Sequence, residues 1–215
     1  MQVRTTRRRL GQGVVAFAAL AAAAAAFLGA ATPARAAGCS YGPMSPVFLP
    51  WADVNNYFLA PGANFENGLG GWSASGGAQV VSGNEPYNVG GAGANSLSLP
   101  TASASATTPA FCVSLDSPTF RVFVRNTGSA GIFEGALGVY LNVQSPNGTW
   151  QQVKIAGVKM LDTSWNLTLP IAFVQYVPLS VVLNGYANVS LTFKPNDNHG
   201  NWQIDDMYVD PYRSK

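Results

Sequence analysis

One histidine, two cysteines and a charged fraction of 10% are all that this 215-residue chain offers to most reaction chemistries. Each scarcity closes a class. A zinc centre takes several His or Cys ligands, and His199 stands alone. A Ser-His-Asp triad would have to use that same His199, and no Gly-x-Ser-x-Gly elbow supplies its serine. His199 lies in Asn196-Asp197-Asn198-His199-Gly200, which reads as a surface loop. No phosphate-cradling glycine loop, internal repeat or low-complexity tail is present. After residue 36 no helical period is sustained; Val158 to Leu161 and Leu179 to Leu183 are too short to assign by themselves.

The first 36 residues read as an export signal rather than as part of a fold. Arg4, Arg7, Arg8 and Arg9 form a positive start, and a mostly alanine apolar run follows from Val14 to Ala31. Pro33 breaks it, and Ala34-Arg35-Ala36 is a small-residue cleavage site. Thr6-Arg7-Arg8-Arg9-Leu10 also matches a twin-arginine signal, so Sec and Tat export both stay open. An uncleaved membrane anchor is the competing reading. Cleavage leaves 215 minus 36, or 179 residues, which suits one domain, and leaves no membrane-spanning segment. Removing five arginines changes the charge as well. The whole chain has 12 basic and 10 acidic residues; the exported part has 7 and 10, a net of −3. A mildly acidic chain without a basic patch excludes nucleic acid as a partner.

Cys39 and Cys112 both fall in the exported part, where disulfides persist, and are expected to pair. The bond would tether an N-terminal extension (37–61) to a mid-chain strand. A lipoprotein cysteine at Cys39 is the alternative; it would leave Cys112 as an odd thiol.

The rest is a succession of short alternating runs. In Thr119-Phe120-Arg121-Val122-Phe123-Val124-Arg125, Phe120, Val122 and Val124 face away from Arg121 and Arg125. Ser96 to Leu99, Leu137 to Gln144, Trp150 to Ile155, Trp165 to Leu169 and Ala187 to Lys194 also read as strands. Turn clusters separate them, with Asn147-Gly148 the strongest hairpin signal. The pattern predicts an all-β sandwich or jelly roll.

Two segments carry a resemblance. Phe65-Glu66-Asn67-Gly68-Leu69-Gly70-Gly71-Trp72 opens the domain, and Ile204-Asp205-Asp206-Met207 closes it. Between them Gly83, Gly90 and Gly93 lead into Ser96-Leu97-Ser98-Leu99. In that order they resemble galactose-binding-like jelly rolls, the fold of many secreted carbohydrate-binding modules, over the domain spanning 62–215. Methionine stands at Met207 where such modules have a valine. The resemblance implies a structural Ca²⁺ held by Glu66 and by Asp205 or Asp206. Ca²⁺ prefers such hard oxygens. In a regular strand only one of two adjacent aspartates can aim inward. The competing reading is that the inward carboxylate accepts hydrogen bonds from amides of a neighbouring loop.

Sugar recognition needs aromatic planes and polar side chains. Trp150, Trp165 and Tyr140 are candidates for one sheet face, and Tyr87 and Tyr176 for a rim; Trp72 and Trp202 are assigned to the core. The function implied is non-catalytic binding of a cell-wall or environmental polysaccharide by a secreted monomer. Two rivals remain. One is a structural or adhesive protein that binds another surface protein. The other is a small glycoside hydrolase using two carboxylates, with Glu85 the most suggestive and otherwise a turn cap.

Overall fold

The computed structural model describes residues 39–114, 118–128, 135–183, 185–196 and 200–211. The expected signal (1–36), His199 and Glu134 lie outside them. The fold is two antiparallel sheets packed face to face, as the alternating runs require.

One sheet has seven strands. Its path runs β10 (Asn166–Leu167), β7 (Thr119–Asn126), β13 (Trp202–Asp210), β4 (Asn95–Leu99) and β3 (Gln79–Ser82). Two short pieces extend it: β1 (Phe58–Leu59) on β13 and β11 (Ile171–Ala172) on β7. The other sheet has six strands, in the order β2 (Ser73–Ser75), β5 (Ser105–Thr107), β12 (Tyr186–Pro195), β8 (Leu137–Gln144) and β9 (Trp150–Val158). There β6 (Phe111–Ser114) also pairs with β12. Asn147-Gly148 turns β8 into β9, with Gly148 at φ +84°, a left-handed conformation that glycine adopts without penalty.

The core lies between the sheets. Phe120, Val122 and Val124 enter it from β7, and Leu137, Val139, Leu141 and Val143 from β8. Trp72 and Trp202 are both buried there, as assigned. Trp72 stacks on Phe193 with ring centroids 5.9 Å apart, and its indole N–H donates to the Pro61 carbonyl at 2.9 Å.

A second, smaller apolar cluster covers the far side of the seven-stranded sheet. Phe48 and Tyr57 from the N-terminal extension pack on Phe123, Trp165 and Tyr208. Within it the Arg121 guanidinium sits 5.0 Å above the Phe48 ring and pairs with Asp53 at 2.9 Å. The Tyr57 hydroxyl donates to that same carboxylate at 2.8 Å. Burial, then Asp53, raises the Tyr57 pKa. The face of β7 that carries Arg121 and Arg125 is therefore a covered layer. The Cys39–Cys112 disulfide forms as expected and ties the start of this layer to β6 of the opposite sheet.

Sequence periodicity misplaced one boundary, since Trp165 to Leu169 contributes only the two-residue β10; Leu179 to Leu183, left unassigned by its pattern, holds a single helical turn, α1 (Leu179–Val182). Runs this short take their conformation from tertiary packing rather than from period.

Candidate functional site

Two constellations hold part of the set singled out from sequence, one on each sheet.

The first is the outward face of the six-stranded sheet. Alternation along β8 buries Leu137, Val139, Leu141 and Val143 and turns Tyr140, Asn142 and Gln144 outward. Register carries this face across the neighbours. Tyr140 lies opposite Lys154 and Thr192, Asn142 opposite Gln152 and Ser190, and Gln144 opposite Trp150. Directly paired residues share a face, so these side chains form one surface. Hydrogen bonds knit it together. The Asn142 amide donates to Ser190 Oγ at 3.1 Å and to Thr192 Oγ1 at 3.0 Å, and accepts from Gln152 Nε2 at 2.7 Å. The Thr192 hydroxyl lies 2.7 Å from that of Thr107. The Tyr140 hydroxyl donates to Asn196 Oδ1 at 3.0 Å. At the end of this ladder the Trp150 indole is 46% exposed.

Five aromatic candidates thus divide. Tyr140 and Trp150 share this face. Trp165 is buried at the other sheet beneath the Arg125 guanidinium, 4.9 Å from its ring, and presents no open plane to a sugar. Tyr87 is exposed at that other sheet, stacked on Phe123 and edge-on to Trp51. Tyr176 is half-buried against the main core. The amides and hydroxyls around Asn142 did not emerge from the sequence. Their signal was there: Tyr140-x-Asn142-x-Gln144 and Trp150-x-Gln152 place polar residues at period two on one face.

The second constellation is acidic. It lies where the loop between β3 and β4 folds back on β13. Asp205 Oδ2 accepts the Glu85 amide at 3.0 Å, Asp205 Oδ1 accepts the Asp206 amide at 2.9 Å, and Asp206 Oδ2 accepts the Gly90 amide at 2.9 Å. Glu66 Oε1 accepts the amides of Ala94 and Asn95, each at 2.9 Å. Glu85 accepts from the amides of Tyr87 and Val89. It is the turn-capping carboxylate, 1% exposed, and has no open side toward a glycosidic bond. A Cβ at Gly90 would stand 2.6 Å from Asp206 Oδ1, so glycine is required for this approach.

The expectation that only one of the adjacent aspartates aims inward is corrected. Both are buried, Asp205 at 0% and Asp206 at 2% exposure. The β13–β7 register shifts between Asp205 and Tyr208, and Asp206 takes φ +43°. This bulge breaks the alternation and returns both carboxylates to the same loop. Burial pushes the Asp205 pKa up to about 8, with the Glu85 amide opposing and the Asp206 charge adding. Burial likewise pushes Asp206 up to about 6, opposed by the Gly90 amide and reinforced by Glu85 and Glu66. The donors are oxygens suited to Ca²⁺, yet backbone amides already occupy them. Among the described residues no group of three or more His, Cys, Asp or Glu side chains is arranged to hold a metal ion.

Comparison with solved structures shows the fold. A Clostridium thermocellum endo-1,4-β-D-xylanase fragment contains a family 22 carbohydrate-binding module and a family 10 hydrolase module, solved with xylohexaose. It matches with TM-score 0.50 and 16% identity, over 71% of this chain and 28% of that one. A xylan-binding family 22 module from Paenibacillus barcinonensis matches with TM-score 0.49 and 17% identity, over 71% and 94%. The C-terminal family 22 module of a Clostridium thermocellum protein gives 0.48 and 19%, over 71% and 92%. No protein-family model and no curated protein matches the chain. The architecture is a jelly-roll β-sandwich of the kind found in carbohydrate-binding modules.

Proposed function

We propose that this protein is an exported, non-catalytic binding module for a neutral polysaccharide, and that the outward face of the six-stranded sheet is where the glycan lies. One observation carries the reading: a connected ladder of amides and hydroxyls, bordered by an exposed indole, on the outward face of one sheet. Sugar hydroxyls exchange hydrogen bonds with such groups, while an indole offers a plane for the apolar side of a pyranose. The disulfide supports export. Among the described residues no helix is long and apolar enough to cross a membrane.

The test is affinity electrophoresis through gels containing soluble neutral polysaccharides, xylan among them. We expect one to retard the chain and the Trp150→Ala variant to run free of it. Unchanged migration across the whole panel sinks the proposal.

The protein-partner reading keeps one observation in its favour. A hollow of about 440 Å³ opens beside the end of β9 and next to β10, with Leu161 and Leu169 exposed at its rim. A chain that ignores every glycan yet loses a surface partner on Leu169→Asp would establish it.

For the acid cluster, we propose Glu66 and Asp206 as the pair that would hold a Ca²⁺ ion, since the Glu66 charge is among those that raise the Asp206 pKa; Asp205 stays with its amides. The readout is thermal unfolding with added Ca²⁺ and with chelator. A Tm raised by Ca²⁺ and lowered by chelator supports the ion; identical curves leave the amides as the only partners.

A further inference from the structure

Almost every open strand edge in this sandwich is short. β2 and β3 have three and four residues, and β1, β10 and β11 two each. β9 is the exception. It has nine residues, closes the six-stranded sheet, and carries no strand on its far side among the described residues. A long edge is a template for another strand, and proteins ordinarily protect it with proline, shortness or charge. Trp150-Gln151-Gln152-Val153-Lys154-Ile155-Ala156-Gly157-Val158 contains no proline and a single charge, Lys154.

The phase of the ladder shows which groups face outward. The Ser145 amide donates to the Thr149 carbonyl at 2.8 Å, and Gln144 lies opposite Trp150. Antiparallel pairs alternate between bonded and non-bonded positions. Residues 151 and 153 therefore bond to β8, while Trp150, Gln152 and Lys154 direct their N–H and C=O groups to the free edge.

We propose that β9 pairs antiparallel with β9 of a second copy of this chain, about a twofold axis at Gln152, and so joins two six-stranded sheets into one. The sequence is self-complementary in that register. Gln152 meets its own copy, and Trp150 meets Lys154 of the second copy, twice, as a twofold axis requires. Trp150 and Lys154 both lie on the outward face, so each ammonium comes to rest against an exposed indole. The register shift at Ile155, which separates the Lys154 and Ala156 pairings, ends the flat stretch and confines the contact to residues 150–154. This pairing is the alternative to the monomer expected from sequence. It rests on the strand edge and stands whether or not a glycan binds.

Sedimentation equilibrium of the exported chain tests it. We expect the average mass to climb to twice the monomer's, with a dissociation constant below about 1 mM. Gln152→Pro removes one outward N–H, the side-chain bond to Asn142 and no backbone bond to β8, a substitution that edge strands tolerate; it should leave monomer only. Lys154→Glu changes an exposed side chain and should weaken the dimer at least tenfold, which keeps the test decisive should the proline variant misfold. A wild type that remains monomeric up to about 1 mM overturns the proposal. So does a dimer whose dissociation constant neither variant changes.

Discussion

The two outward faces of the sandwich follow the same period-two rule and end in opposite states. The outside of the seven-stranded sheet carries Arg121, Phe123 and Arg125 from β7 and lies beneath the N-terminal extension. The outside of the six-stranded sheet carries amides and hydroxyls and leaves Trp150, Gln152 and Lys154 exposed. Alternation therefore decides which side chains leave the core, but not whether they reach water. The covered face contributes to stability and the other is the face proposed for the glycan, so truncations on the two should behave oppositely.

The largest effect is expected from Phe48→Ala. Phe48 is fully buried and meets Tyr57, Tyr208 and Phe123; its loss should cost about 3–5 kcal/mol in urea unfolding. A near-neutral result would break the comparison, since the extension would then be decoration. Replacing Cys39 and Cys112 together by serine should cost about 4 kcal/mol on a loop-entropy basis, given their separation of 73 residues. Asp53→Asn leaves Arg121 buried without its counter-charge and should cost about 3 kcal/mol. A double change of both partners to apolar residues should cost less than that, which a double-mutant cycle would show.

A smaller effect is expected from pH. Asp205 and Asp206 have folded pKa values of about 8 and about 6, against about 3.9 when unfolded. The folded state binds more protons between those values, so their contribution is complete below about pH 4 and is lost as pH rises through 6 and 8. Calorimetry should show Tm falling over that interval, with a shallower fall in Asp205→Asn. A Tm rising there would mean the carboxylates are held charged, as a bound cation would hold them. The smallest change in stability, within about 0.5 kcal/mol, is expected for Trp150→Ala on the face proposed for the glycan, even as glycan retardation is lost.

Much of this architecture was legible beforehand because it is local. The faces of β7 and β8, the Asn147-Gly148 hairpin and the core positions of Trp72 and Trp202 follow from short-range rules, and the Cys39–Cys112 pairing from there being two cysteines to pair. The covering layer was not, because it depends on a segment more than sixty residues upstream folding back on β7. One sign of it was present: Phe123 stands between Arg121 and Arg125 on a face that reads as solvent-exposed. An aromatic there asks for a cover. The paired burial of Asp205 and Asp206 was hidden for a different reason. Alternation presumes an unbroken ladder, and the bulge that breaks it arises from pairing with β7 rather than from the aspartates themselves.

The order of strands has a last consequence. The central strand of the seven-stranded sheet is β13, joined to β1, β4 and β7; that of the six-stranded sheet is β12, joined to β5, β6 and β8. These are the final two strands of the chain. The outer pairs β3–β4, β2–β5 and β8–β9 can form without them, but the two halves of each sheet cannot join until β12 and β13 pair. Neither sheet can close across its centre until β12 and β13 are in place, so the folding of both sheets waits on long-range pairings. The C-terminal tail then works as a zip fastener, and clipping even a few residues from β13 would do more harm than removing a whole outer strand.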